Sequence, residues 1–203
     1  MIEYQVIHIR SKKDRYENIL SNQEKLKKPI TIFDAVVGTE IDVTNLEPFD
    51  PQIKNNFKHV FINEVGCYLS HLMLVKQITS PGYTVVFEDD FFIQEGLDEK
   101  IQHIIDIVDD FDIICLGNLN NNRGKLYKEN IYKVDLYNKM WGTHGYLINN
   151  KNARKIYDNL LTMHLAIDNQ YKMLFDHKRL NGYVVYPNLV EQQVAAFKSD
   201  IRG

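Results

Sequence analysis

Tyr83-Thr84-Val85-Val86-Phe87-Glu88-Asp89-Asp90 is the stretch on which the fold turns. Its first five residues are β-branched or aromatic and follow the turn Ser80-Pro81-Gly82, so they read as a buried strand. Three carboxylates close that strand, and holding them together is costly without a cation or a proton. In an open α/β sheet, ligands bind outside the carboxyl ends of the strands. The triplet therefore reads as a divalent-metal site, with a solvated acidic turn as the alternative. Strand alternation puts Glu88 and Asp90 on one side and Asp89 on the other. Glu88 and Asp90 are thus the expected metal ligands, offering oxygen to a hard cation such as Mn2+ or Mg2+. A cation with few protein ligands keeps positions open for a substrate diphosphate and can act there as a Lewis acid.

Strand and helix signals alternate on both sides of this stretch. Upstream, Tyr4–Ile9 reads as a strand. Asp14 can cap a helix to about Leu26, with Tyr16, Ile19, Leu20 and Leu26 on one face. Ile30–Phe33 is a second strand, and the segment from Gly38 to Lys58, with Pro48 and Pro51, reads as irregular. Asn63–Ile78 is a strong helix, with Val65, Leu69, Leu72 and Val75 at helical spacing. Downstream, a helix over Leu97–Val108 precedes a strand over Phe111–Leu116, and Asn118–Lys128 is a polar loop. Ile131–Leu136 is an edge strand by its alternation. A strand at Tyr146–Ile148, a helix at Lys151–Leu161, a helix at Ile167–Phe175 and a strand at Tyr183–Tyr186 complete the pattern, and the tail from Gln192 is weakly patterned. Such alternation predicts an α/β fold with a mostly parallel central sheet covered by helices. No repeat or linker divides the chain, so residues 1–203 are expected to form one domain.

Composition narrows the function classes. The 203 residues are 44% hydrophobic and 25% charged, as in an ordinary globular protein. A net charge of −3 announces no basic surface, so nucleic acid is not an expected partner. Cys67 and Cys115 lie far apart in apolar segments and read as buried thiols, and no Cys/His zinc spacing is present. Met1 leads straight into a strand-like stretch, without the charged and apolar regions of a signal peptide. No apolar run approaches the ~18 residues of a membrane span. No Asn-x-Ser/Thr sequon occurs. A cytoplasmic location is expected, compatible with peripheral attachment to a membrane surface or a larger complex.

Four further constellations carry chemistry-bearing residues. Ser70 and His71 sit within an amphipathic helix, where such a pair is either a local hydrogen-bond group or part of a site. Gly142-Thr143-His144-Gly145-Tyr146 permits close backbone approach, or is a tight turn before a strand. Asp168 stands at a helix start, where an Asp is usually a cap. Arg10-Ser11-Lys12-Lys13-Asp14-Arg15 places basic residues beside a helix N-terminus, as a phosphate-binding loop or a solvated one.

These segments together, in order and nearly end to end, resemble glycosyltransferase family 25, which includes bacterial lipooligosaccharide galactosyltransferases and procollagen galactosyltransferases. Val6–Ser11 with Asp14-Arg15 resembles its opening "INL-x-R-S-x-x-R", and Phe33–Gly38 its "F-x-A-V-D-G". Asn63–His71 is similar to "E-I-G-C-x-L-S-H", the most specific match, and Val86–Asp90 to "L-E-D-D". Gly142–Ile148 resembles "G-T-x-x-Y-L-I", Ile167-Asp168 "V-D", and Pro187–Gln192 with Ser199-Asp200-Ile201 the closing "P-x-x-x-Q…S-D-I". His8, Val37 and His144 depart from the pattern, which has Asn, Asp and a small residue there.

The resemblance implies a GT-A fold, a Rossmann-like domain that binds a UDP-sugar with Mn2+ and inverts the anomeric carbon. It implies that Glu88-Asp89-Asp90 is the Asp-x-Asp-like metal site. Arg10, Arg15, Ala35, Val36 and Gly38 fall where the nucleoside is held, and Ser70, His71 and Asp89 join them as candidate donor-binding residues. Asp168 is the first choice for the general base and His144 the second. The expected reaction moves a hexose, galactose or glucose, from UDP to a hydroxyl of a glycan or protein. A non-catalytic sugar- or partner-binding relative is the alternative from another class. A nucleotidyltransferase ranks third, because Arg10–Arg15 lacks a glycine to clamp a triphosphate. Nothing in the sequence selects the sugar, the acceptor or an oligomeric state.

Overall fold

The computed structural model describes residues 1–42, 61–120, 124–134 and 141–197. Tyr83–Glu88 forms strand β3, whose interior residues are fully buried. Its side chains alternate between two cores. Val86 joins the cluster on one face of the sheet, while Val85 and Phe87 join the cluster on the other. A strand buried on both faces has no polar side to show, which is why it reads as a continuous apolar run.

β3 pairs in parallel with β1 (Ile2–His8), and β1 pairs in parallel with β2 (Ile30–Asp34). On its other edge β3 meets β8 (Gly145–Asn149), which runs antiparallel to it and to β5 (Ile113–Cys115). β9 (Gly182–Val185) lies parallel to β5, and β7 (Ile131–Lys133) and β6 (Lys125–Lys128) follow antiparallel. The order is β2-β1-β3-β8-β5-β9-β7-β6. Only β8 and β7 run against the common direction, so the expected α/β sheet of mostly aligned strands is observed.

Helices α2 (Ile62–Gln77), α4 (Ala153–Leu160) and α5 (Ile167–Asp176) cover one face through Val65, Tyr68, Leu72, Ile156, Leu160, Tyr171 and Phe175. Helices α1 (Lys13–Gln23) and α3 (Leu97–Ile107) cover the other through Ile19, Leu97, Ile101 and Ile104. Each large apolar side chain so buried contributes about 1.5–3 kcal/mol. Among the described residues, no helix is long and apolar enough to cross a membrane.

Several expectations need correction. Lys12, not Asp14, occupies the start of α1, and Asp14 lies within its first turn. Tyr16 and Leu20 are exposed, whereas Arg15 and Asn22 face inward beside Ile19. The inward polar residues are there because they have partners: the Asn22 amide donates to the Phe91 carbonyl and its oxygen accepts from the Ile93 N–H, at 3.3 and 3.0 Å. Ile131–Lys133 is not an edge, because β6, drawn from the expected loop, lies outside it. A second, two-stranded sheet pairs β4 (Phe91–Ile93) with β10 (Val190–Gln192), and neither strand is evident in the sequence pattern. The proline-bearing part of the Gly38–Lys58 segment and Ser199-Asp200-Ile201 lie outside the described residues.

Candidate functional site

The carboxylate triplet stands at the carboxyl end of β3, next to the carboxyl end of β1. β3 ends at Glu88, and Asp89 and Asp90 form the turn into β4, so strand alternation stops before Asp90. Each carboxylate consequently has its own environment. Asp89 Oδ1 accepts from Arg15 Nη1 at 2.5 Å, and Oδ2 meets His8 Nδ1 at 2.9 Å and the Ile9 N–H at 3.3 Å. Asp89 thus fastens the β1–α1 connection to the end of β3. Glu88 Oε1 accepts from the Thr143 hydroxyl and meets His71 Nε2 at 3.2 Å. Burial alone would raise the Glu88 pKa, but His71, Thr143 and His144 together hold it below the ordinary value.

Asp90 is the exception. Its Oδ2 accepts from Gln192 Nε2 at 2.9 Å, while its buried Oδ1 has no hydrogen-bond partner. Burial, followed by the charge of Glu88, pushes its pKa up to about 6. A buried carboxylate with one oxygen unsatisfied is costly unless something electropositive approaches it.

All three carboxylates line one cleft of about 290 Å³. Arg15, Ala35, Val36, Gly38, Ser70 and His71 line it too, so most of the expected donor-binding residues converge there. The wall opposite α1 depends on a close approach between the 35–38 segment and α2. A Cβ on Gly66 would lie 2.6 Å from the Val36 carbonyl oxygen and 2.7 Å from the Gly38 nitrogen. A Cβ on Gly38 would strike the Ile62 carbonyl in turn. Ser70 locks this contact: its Oγ accepts from the Val36 N–H at 2.8 Å and donates to the Gly66 carbonyl at 2.7 Å. Of the two readings of Ser70, the local hydrogen-bond group is therefore the one its hydroxyl fulfils, although the residue borders the cleft.

Three expected residues lie elsewhere. Arg10 is exposed and makes a bidentate pair with Asp34, at 2.5 and 2.6 Å, on the outside of the sheet edge. His144 is fully enclosed, with its ring against Gly117 and Gly142, where a Cβ would collide with it. Gly142 also has φ +90°, a conformation that favours glycine. Burial pushes the His144 pKa down, against the pull of Glu88 and the Val190 carbonyl. Its link to the site runs through its backbone carbonyl, which accepts from the Glu88 N–H at 3.3 Å. Asp168, in the first turn of α5, takes hydrogen bonds on both oxygens, from the Gly142 N–H at 3.2 Å and from the Asn169 N–H at 2.7 Å. It is part-exposed and outside the lining of the cleft, yet close enough to bear electrostatically on Cys67, which borders it.

Four contributors escape sequence reasoning. Gln192 reaches Asp90 from β10, and only the closing Gln of the family pattern hints at it. Thr143 and Tyr146 hold Glu88 and His71, and nothing in the glycine-flanked segment announces those contacts. Cys67, read as a buried thiol, is half-buried and borders the cleft, while Cys115 is buried as expected.

A hard divalent cation fits this donor set. Asp90 offers an unpartnered carboxylate oxygen, Glu88 a second carboxylate in the same cleft, and both are suited to Mn2+ or Mg2+.

Procollagen galactosyltransferase 1-A of Xenopus laevis is 22% identical over 193 residues, covering 88% of this chain and 32% of the relative. A protein named "Probable inactive glycosyltransferase 25 family member 3" from Bos taurus is 22% identical over 185 residues, covering 84% of this chain and 31% of its own. The chain thus spans about a third of the length of these curated relatives. The apo-form glycosyltransferase GlyE of Streptococcus pneumoniae superposes with a TM-score of 0.48 at 10% identity, over 89% of this chain and 44% of that one. The sequence model described as glycosyltransferase family 25 (LPS biosynthesis protein) matches residues 1–171. The chain belongs to glycosyltransferase family 25.

Proposed function

We propose that the cleft at the end of β3 holds the diphosphate of a UDP-hexose and that the chain, folded as a single GT-A domain over residues 1–203, transfers the hexose with inversion to a hydroxyl of a glycan or protein. The observation that carries this reading is Asp90: a buried carboxylate with an unpartnered oxygen, facing a cleft at the ligand-binding edge of an α/β sheet. Galactose is the favoured hexose because relatives are named as galactosyltransferases.

Asp90 and Glu88 would hold Mn2+ or Mg2+. When bound, the cation neutralises charge that develops on the UDP leaving group. Asp89 acts on the site through Arg15, whose guanidinium it keeps at the cleft beside the phosphates. Ala35, Val36 and Gly38, held against α2 by Ser70, form the wall against which the nucleoside packs. Arg10, bound to Asp34 outside the cleft, contributes to that region's surface rather than to the phosphates.

Asp168 is the proposed base. Its carboxylate is oriented by two backbone N–H groups. It takes the proton of the acceptor hydroxyl as that oxygen bonds to the anomeric carbon and the bond to UDP breaks. His144 is enclosed, so we assign it a packing role under Glu88.

The reading is tested by thermal shift with UDP-glucose, UDP-galactose and their N-acetyl forms, each with and without Mn2+. Stabilisation by at least one UDP-sugar, increased by Mn2+, is expected. Stabilisation by none of them would overturn the reading.

A further inference from the structure

A second set of ligand atoms lies in the wall of the same cleft. Cys67 and His71 are four residues apart on α2, so they share one face of the helix. Glu88 meets them from the end of β3, and one ligand atom from each of the three residues lies within 4.8 Å of the others. Two ligands of a four-coordinate zinc ion sit about 3.5 Å apart, so a side-chain adjustment of about an ångström closes the set.

The surroundings are those of a metal site. His71 Nδ1 is fastened to Tyr146 Oη at 2.7 Å, which orients the ring and leaves Nε2 aimed at Glu88. Thr143 donates to Glu88 Oε1 and fixes that carboxylate. Outer partners of this kind accompany metal-bound imidazoles and carboxylates. All three residues border the cleft, so a fourth position is open to water or a substrate group. No zinc pattern is visible in the sequence because the third ligand comes from a strand rather than from the same segment.

We propose that Cys67, His71 and Glu88 bind a thiophilic divalent cation, Zn2+ in preference to Mn2+, at a site separate from the Asp90 oxygen. Thiolate and imidazole select zinc, whereas oxygen-only sets suit manganese. On binding, the thiol releases its proton, and the cation replaces the hydrogen bond between Nε2 and Glu88. His71 then donates Nδ1–H to Tyr146. Because Glu88 serves both sites, Zn2+ is expected to weaken binding of the UDP-sugar with Mn2+; this consequence alone rests on the proposed function.

The test is Co2+ titration of the whole chain, followed by displacement with Zn2+. A near-ultraviolet thiolate-to-cobalt absorption is expected, at one Co2+ per chain, and Zn2+ should abolish it. The band should survive Cys115→Ser and vanish in Cys67→Ser. Tyr146→Phe should keep the band and weaken Zn2+ binding roughly tenfold. Should Cys67→Ser fail to fold, protection of Cys67 from iodoacetamide by Zn2+ in the unmodified chain reads the same contact. A cobalt spectrum without a thiolate band, or no protection of Cys67, overturns the proposal. A thiolate band without UDP-sugar binding upholds the zinc site and refutes the donor reading; UDP-sugar binding without a band does the reverse.

Discussion

Replacing Asp90 with Asn changes little volume but removes a charge that the fold holds at a cost. Burial, then Glu88, raise the Asp90 pKa from 3.8 to about 6, against the opposing pull of Gln192 and Arg15. At 1.36 kcal/mol for each tenfold change in proton affinity, ionised Asp90 destabilises the folded chain by about 3 kcal/mol. Folded Asp90 binds its proton more tightly than unfolded Asp90. Stability is therefore lost as pH rises from about 4 to about 6, and the penalty is complete above that range. In Asp90→Asn the amide takes over the contact with Gln192, but its new N–H2 has no acceptor where Oδ1 had no donor. That returns about 1 kcal/mol, leaving a net gain of about 2 kcal/mol. For a chain of this size the gain corresponds to about 4–8 °C in Tm. The assay is thermal unfolding in EDTA from pH 4 to pH 8. The variant is expected to melt higher than the parent at pH 7.5, with the difference shrinking towards pH 4. A variant that melts at or below the parent at pH 7.5 would refute the reasoning, because it would mean that Asp90 is satisfied within the apo fold.

The neighbouring carboxylate should respond with the opposite sign. Asp89→Asn removes the buried charge that Arg15 Nη1 and His8 Nδ1 meet, and is expected to lower stability by about 3 kcal/mol, read by urea unfolding. Gly66→Ala drives a Cβ into the Val36 carbonyl and the Gly38 nitrogen, so a loss of about 1–3 kcal/mol and weaker UDP-sugar binding are expected, measured by denaturation and by calorimetry. Asp168→Asn should cut transfer roughly 100-fold or more while leaving the UDP-sugar dissociation constant unchanged. Unaltered turnover in that variant would remove Asp168 from the role of base.

The sequence made β3 legible because a strand buried on both faces must be apolar throughout, and the charges at its end had to mark an edge. It made α2 legible because Val65, Leu72 and Val75 recur at the period of a helix facing one core. The inner face of α1 is not legible in the sequence because Arg15 and Asn22 are buried by specific hydrogen bonds, and a period-based reading assigns inward positions to apolar residues. β4 and β10 leave no signal in the sequence because three-residue strands are too short to display a period. Within the triplet, alternation pairs Glu88 with Asp90 and sets Asp89 apart, whereas the strand ends at Glu88 and all three carboxylates border one cleft. Residues such as Gln192 and Thr143 act on the carboxylates from distant segments, and contacts between distant segments leave no local pattern.

Asp90 is the proposed point where the donor's diphosphate and its cation meet the chain. Calorimetric titration of UDP-galactose with Mn2+ into the parent and into Asp90→Asn tests it most directly. Saturable binding to the parent that EDTA removes is expected, with at least roughly tenfold weaker binding to a variant that is itself more stable. Equal affinity in the two proteins, or binding indifferent to EDTA, would contradict it.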